Sequence, residues 1–341
     1  MERVRFGNTD LKVSKIALGG IPIMPLEKED AVKVVRDVIN MGINFIDTAN
    51  GYWDSEEKIG EAIKVFNRHS LVLSSKSAAR DKRTFLSHID LSLKRLGTDY
   101  IDIYHLHNIS SKEDFEKVMG PEGAYQGLEE AISNGKIRYH AFSSHNPEIA
   151  EKMMRTKRFQ VTQIPLNFID TEPEEKLIPL ARKLNIGFIA MKPMGGGMLE
   201  DANLAFRYLT QFEEIVPDPG IEKTEEMEEI INIVKDPRPF TEKEKKKIKR
   251  MKKELGNRWC HRCGYCQPCP EEIPISTVLE TQSIIKRVYY DRGLEKVIEK
   301  ARDCTECREC IEKCPYNLDI PELLKENIEF WEKLKKEHKN F

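Results

Sequence analysis

Over residues 1–236, short runs of apolar residues alternate with longer stretches in which apolar positions recur every three or four residues. After an opening hairpin, "IALGG" (16–20), "NFIDTA" (44–49), "LVLSSK" (71–76) and "IDIYHLH" (101–107) are nearly continuous apolar runs. "YHAFSSH" (139–145), "VTQIPLN" (161–167) and "GFIAMKP" (187–193) follow, and the eighth run, about "EEIVPDP" (213–219), is poorly marked. Runs of this kind predict strands buried on both faces. The stretches between them, such as "KEDAVKVVRDVINMG", "RTFLSHIDLSLKRLG" and "PEEKLIPLARKLN", predict amphipathic helices, several closing on Gly or Asn. Eight strand-helix units in this length predict a (β/α)8 TIM barrel, whose working face is the rim at the C-terminal ends of the strands. A doubly wound sheet is the other fold that alternates in this way. It would usually carry a glycine-rich dinucleotide turn, and no GxGxxG occurs in the chain.

The pattern changes after residue 236. "DPRPFTEKEKKKIKRMKKELGNR" (236–258) is a proline-marked break followed by a strongly basic helical stretch. Such a run reads first as a solvated helix face, with nucleic acid or an acidic protein such as a ferredoxin as the partners to weigh against it. Beyond it lie all eight cysteines, in "WCHRCGYCQPCP" (259–270) and "CTECRECIEKCP" (304–315). Between the two runs "STVLETQSIIKRVYYDRGLEKVIEKAR" (276–302) reads as helix. The expected organisation is a barrel domain over 1–236 and a small, mainly helical cysteine-bearing domain, with its basic linker, over 237–341.

Length and composition are consistent with this division. A chain of 341 residues is enough for about two domains at ~150 residues each. The net charge of −2 gives no overall pull toward nucleic acid or an anionic membrane, so partners must be argued from sites. Charged residues, 33% of the chain and rich in Lys and Glu, lean toward a heat-adapted surface. No apolar stretch of spanning length occurs and "MERVRFGNTD" has no apolar signal core, so the expectation is a cytoplasmic protein with no membrane span. In that reducing compartment clustered cysteines are metal ligands before they are disulfides.

The barrel matters because of what its strand ends carry. Asp47 ends the second strand with Tyr52 in the loop just beyond, Lys76 ends the third and His107 the fourth. Taken singly, Asp47 is a helix cap, Tyr52 a loop aromatic, Lys76 a solvated cation and His107 a core histidine. Four proton-handling side chains converging on one rim argue against all four readings together. His105, two residues before His107, points to the same side one layer deeper and reads as a hydrogen-bond partner in the core.

"NFIDTANGYWDSEEKIGEAI", "LVLSSK", "LKRLGTDYIDIYHLHN", "AFSSHN" and "QIPLNF", in this order and spacing, resemble the aldo-keto reductase family across the barrel region. The cysteine-rich tail resembles the ferredoxin-bearing branch of that family. The resemblance implies an oxidoreductase that interconverts a small carbonyl and its alcohol by hydride exchange with NADP(H), with NAD(H) as the alternative. It implies a catalytic tetrad of Asp47, Tyr52, Lys76 and His107, in which Tyr52 donates the proton, Lys76 favours its phenolate, Asp47 orients the ammonium and His107 directs the substrate oxygen. Ser143, Ser144 and Gln163 match the residues that hold the nicotinamide amide, although the second serine stands where asparagine is common. Met191 falls where the family often stacks an aromatic ring. Lys192 and the glycines after it, and the loop and helix start "DPGIEKTEEMEEI" with Gly220 and Lys223, match the segments that approach the pyrophosphate and the adenosine end. Lys223 is the one basic residue there among Glu222, Glu225, Glu226, Glu228 and Glu229.

Cys304, Cys307, Cys310 and Cys314, followed by Pro315, form the CxxCxxCxxxCP run of bacterial ferredoxins. Cys260, Cys263, Cys266 and Cys269, followed by Pro270, differ from it by one residue in the last gap. Zinc is the competitor, but it needs neither the third evenly spaced cysteine nor the trailing Cys-Pro. The expectation is two 4Fe-4S clusters. By analogy with ferredoxins the fourth cysteine of each run would serve the other cluster, in a helical module rather than the small ferredoxin sandwich. Three functions fit: a carbonyl reductase carrying clusters, an electron-transfer enzyme exchanging electrons between nicotinamide and a ferredoxin or flavin, and a non-enzymatic nicotinamide redox sensor. The intact tetrad favours the first, because neither of the others needs a proton donor over the nicotinamide.

Overall fold

The computed structural model of the chain describes residues 1–256, 258–288 and 292–337. By its internal contacts the chain divides into two compact units, Met1–Gly195 with Leu199–Pro239, and Gly196–Met198 with the stretch from Phe240 onward.

In the first unit an antiparallel hairpin, β1 (Arg3–Arg5) and β2 (Lys12–Ser14), precedes eight parallel strands. These are β3 (Leu18–Gly19), β4 (Phe45–Asp47), β5 (Val72–Ser77), β6 (Ile101–Leu106), β7 (Ile137–Ser143), β8 (Val161–Pro165), β9 (Gly187–Met191) and β10 (Ile215–Asp218), each paired with the next. The last returns to the first through Ala17 N to Pro217 O and Gly19 N to Pro219 O, both 2.8 Å, and a parallel bridge from Gly19 to Gly220. The expected TIM barrel is therefore present, with helices around it.

The helices form where the sequence marks them. Lys28–Asn40 buries Ala31, Val34, Val35 and Val38, one face at helical spacing. Asp81, Asn146 and Asp201 cap the helices that follow them, each side chain accepting from a first-turn backbone N–H. Lys82–Leu96 ends on Gly97 and Leu177–Leu184 on Asn185, both left-handed, as their sequences predict.

The barrel interior is built in layers, because inward-facing residues recur every second position along a strand. Phe45, Val72, Ile103, Ala141, Val161, Ile189 and Val216 make an apolar layer closed from the hairpin side by Phe6, Leu11 and Val13. Two residues further along the same strands stand Asp47, Ser74, His105, Ser143, Gln163, Met191 and Asp218. The interior thus changes from apolar to polar in one step toward the working rim.

The second unit is helical, with no strand among its described residues. Glu242–Gly256, the basic stretch, buries no residue and is a solvated helix. The span 276–302 is helical as expected, in Ile275–Leu279, Thr281–Val288 and Arg292–Ala301, while positions 289–291 of it, like 257 of the basic stretch, lie outside the described residues. Glu309–Glu312 and Ile320–Glu337 complete the unit. Its core gathers Ile273, Val278, Leu294, Ile298, Leu324 and Trp331, and Cys260, Cys266, Cys269, Cys304 and Cys310 pack against it. No helix of the described residues is long and apolar enough to cross a membrane.

Candidate active site

β4 and β5 set Asp47 and Lys76 on neighbouring strands, and the Lys76 ammonium donates to Asp47 Oδ2 and to Thr48 O at 2.6 Å. Both side chains are buried. Burial alone would neutralise each of them. The attraction between them outweighs it, holding Asp47 below the usual carboxylate range and Lys76 above its ordinary value. Asp47 Oδ1 accepts from Ser74 Oγ at 2.7 Å, and that hydroxyl also meets His105 Nε2 at 3.0 Å. His105 is thus a partner one layer below the rim.

The loop after β4 carries Tyr52 back over this pair, its backbone N–H bonded to Ala49 O. The Lys76 ammonium lies 5.2 Å from the centre of the Tyr52 ring, and the His107 ring stands edge-on to it at 5.9 Å. Burial first, and then the Lys76 charge, lower His107 to about 3 and keep its imidazole neutral. The structure therefore brings Asp47, Tyr52, Lys76 and His107 together at the C-terminal ends of the strands.

Gln163 reaches the same cluster from β8, its Nε2 donating to Asp47 Oδ2 at 3.0 Å and to Asp218 Oδ2 at 2.9 Å. Asp218 does not stand out in the sequence, because the eighth run is poorly marked; the signal that finds it is the period of two from Val216. Ser74 is found in the same way from Val72. The Ser143 hydroxyl accepts from Asn108 N at 2.8 Å, and Ser144 is tied into its own turn with Asn146. Met191 is half-buried at the end of β9. Lys192, at φ 58°, donates to His145 Nε2 at 2.9 Å, and His145 Nδ1 meets Asn108 Oδ1 at 2.9 Å.

Two of the expected cofactor positions have structural duties of their own. A Cβ on Gly220 would stand 2.5 Å from Pro22, so close packing there requires glycine. The amides of Glu222 and Lys223, at the start of helix Thr224–Lys235, both donate to Glu226 Oε2, at 2.8 and 3.1 Å.

A model of the Aldo/keto reductase family matches residues 15–206, more than half of the chain. The chain belongs to the aldo/keto reductase family. A model of the 4Fe-4S dicluster domain matches residues 259–319. Among curated relatives, the "Uncharacterized oxidoreductase YqkF" of Bacillus subtilis is 29% identical over 60% of this chain and 68% of its own length. "Probable aldo-keto reductase 1" of Glycine max is 25% identical over 58% of this chain and 60% of its own. Solved structures share the fold: the thermostable aldo-keto reductase Tm1743, crystallised with the inhibitor epalrestat, aligns at a TM-score of 0.63 and 23% identity, covering 74% of this chain and all of that one. An aldo-keto reductase from Klebsiella pneumoniae in complex with NADPH aligns at 0.62 and 22%, covering 73% of this chain and 94% of its own. As a family member this chain is an oxidoreductase with a dicluster region added.

In that region the two cysteine runs lie close together. Cys260 feels the charges of Cys266, Cys263 and Cys314, Cys266 those of Cys263, Cys314 and Cys310, and Cys310 those of Cys304, Cys307 and Cys269. The last cysteine of each run thus acts on a thiol of the other run, and so does Cys310. Burial, and then repulsion among the neighbouring thiols, push Cys260 and Cys266 up to about 12 and Cys310 to about 11. A pocket lined by Cys266, Cys269, Cys304, Cys307 and Cys310 opens beside Ile273 and Leu324. Eight clustered thiols, of which Cys260, Cys266 and Cys310 resist ionising on their own, are a donor set suited to iron-sulfur clusters, whose iron supplies positive charge that favours the thiolates. No group of three or more His, Cys, Asp or Glu among the described residues is placed to hold a single metal ion.

Proposed function

We propose that the chain interconverts a small carbonyl and its alcohol at the barrel rim, using NADP(H), and holds two 4Fe-4S clusters in its C-terminal module. In this reading the barrel domain runs over 1–236 and the ferredoxin-like module over 237–341. The observation that carries the reading is the buried Asp47–Lys76 pair with Tyr52 and His107 within reach of it. Carbonyl reduction builds negative charge on oxygen, so a proton donor must stand beside that oxygen. Tyr52 donates it. The Lys76 ammonium stabilises the phenolate that remains, and Asp47, braced by Ser74, holds that ammonium in place. His107, neutral above about pH 3, donates a hydrogen bond to the substrate oxygen and aims it. Bound nicotinamide supplies the hydride. Ser143, Ser144 and Gln163 would hold its carboxamide, Met191 would flank the ring, and Lys192, Gly220 and Lys223 would face the rest of the dinucleotide. The NADPH carried by the Klebsiella pneumoniae neighbour supports NADP, while the Glu226 carboxylate on the Glu222 and Lys223 amides keeps NAD as the alternative.

Cys260, Cys263, Cys266 and Cys314 would hold one cluster, and Cys304, Cys307, Cys310 and Cys269 the other. The clusters supply one-electron redox capacity or a folding anchor when bound. That chemistry favours a second reading, in which the chain passes electrons to a partner protein. Tyr52→Phe separates the two. It should cut carbonyl turnover at least ~100-fold while nicotinamide affinity barely moves. Near-normal turnover in the variant would remove the reductase reading.

A further inference from the structure

Resting on the reading that Gln163 meets the nicotinamide carboxamide, we propose that Asp218 is a positioning residue that fixes the Gln163 amide so that its Oε1 accepts from the carboxamide NH2. The amide nitrogen of Gln163 has two N–H groups, and both are spent on carboxyls, one on Asp47 Oδ2 and one on Asp218 Oδ2. Its oxygen is the opposite case. Gln163 is 2% exposed, and Oε1 has no hydrogen-bond partner among the described residues. A buried acceptor left without a donor costs free energy, so a ligand that brings an N–H gains the bond without displacing one.

Asp47 alone would hold the amide by a single N–H and let it swing about that bond. A second carboxyl on the other N–H fixes its plane and settles which end faces the ligand. The barrel is shaped for this second carboxyl. β10 is short and sets Asp218 two residues beyond the apolar Val216, and the facing strand has glycine at position 19, where a Cβ would lie 3.1 Å from Asp218 Oδ1. The charges agree as well. Asp47 and Lys76 offset each other, burial followed by the Asp47 charge holds Asp218 well above the usual carboxylate range, and its Oδ2 accepts from Gln163. Asparagine is its isostere.

The test uses the full chain, purified anaerobically with its clusters. Calorimetry gives the Kd for NADP+ or NAD+, whichever the wild type binds more tightly, and for its 3-acetylpyridine analogue, in which a methyl group replaces the carboxamide NH2. The wild type should prefer the natural cofactor by about 10-fold, the worth of one hydrogen bond to a buried acceptor. Asp218→Ala should lose that preference and Asp218→Asn should keep it. Asp218→Leu, which retains more volume should the alanine variant not fold, should lose it too. A role in packing alone would weaken both ligands equally, so an Ala or Leu variant with the wild-type ratio, alongside a Gln163→Ala variant that has lost it, would overturn the assignment of Asp218 and leave the carboxamide reading standing. A wild type without preference, or a Gln163→Ala variant that retains it, would overturn the carboxamide reading and the role of Asp218 with it.

Discussion

His105 and His107 sit two residues apart at the end of β6, and both are held at about 3. Burial does most of this. For His105 the Asp47 carboxylate pulls the other way and the Lys76 ammonium reinforces burial. The neutral ring suits both positions, since a charged His105 would compete with Lys76 for Asp47. The cost appears as pH dependence. In the unfolded chain each histidine takes up a proton near pH 6.5, whereas in the fold neither does so until about pH 3, so stability is lost as pH falls from 6.5 toward 3. Each buried histidine contributes about 1.4 kcal/mol per pH unit inside that window. Guanidinium unfolding of the wild type and of His105→Asn between pH 6 and pH 4 checks this, since acid effects on the clusters are common to both. The wild-type curve should fall more steeply, by about one proton's worth. Parallel curves would mean that His105 is protonated in the fold.

At the scale of elements, the proposed reading gives the start of helix Thr224–Lys235 control over how well the chain takes a phosphate. Glu226 lies in its first turn and already accepts from the Glu222 and Lys223 amides, so an incoming phosphate would have to displace a carboxylate from a helix N-terminus. Glu226→Ala should cost about 1 kcal/mol of stability through the lost cap, and should tighten NADP+ relative to NAD+ in a direct binding titration. An unchanged ratio would place the 2′-phosphate away from this helix. Other elements differ in how well the sequence announces them. β4 to β9 were legible because strands buried on both faces need unbroken apolar runs. β3 spans only Leu18–Gly19, and Asp218 closes β10 between Pro217 and Pro219, so that run is poorly marked. Pro217 is tolerated because its carbonyl, accepting from Ala17 N, does the pairing. The tetrad could be read because each member ends a well-marked strand or opens the loop after it. Asp218 could not, because its strand was the one least marked. The Glu226 cap was hidden for a different reason, as a run of acids does not reveal which one folds back onto the amides.

For the whole molecule, the proposed function has the barrel and the dicluster region deal in different electron currencies. Nicotinamide gives up two electrons together as hydride, whereas a 4Fe-4S cluster takes one at a time, so direct exchange would pass through a high-energy nicotinamide radical. Enzymes that join the two normally place a flavin between them. In the proposed reading the four residues at the barrel rim serve proton donation, which hydride chemistry needs and single-electron transfer does not. In the proposed reading the clusters would therefore serve either to hold together a unit whose own core is small, or to pass electrons to a partner, and in neither case would they accept directly from the nicotinamide. Anaerobically purified chain should first be shown to hold about eight iron and eight sulfide per molecule and no flavin. With both clusters oxidised, NADPH or NADH is then added without air while the visible cluster absorbance is followed beside carbonyl turnover on the same preparation. The absorbance should stay flat on the timescale of turnover. Bleaching as fast as turnover would join the two sites electronically and make electron transfer, rather than carbonyl reduction, the activity that accounts for both.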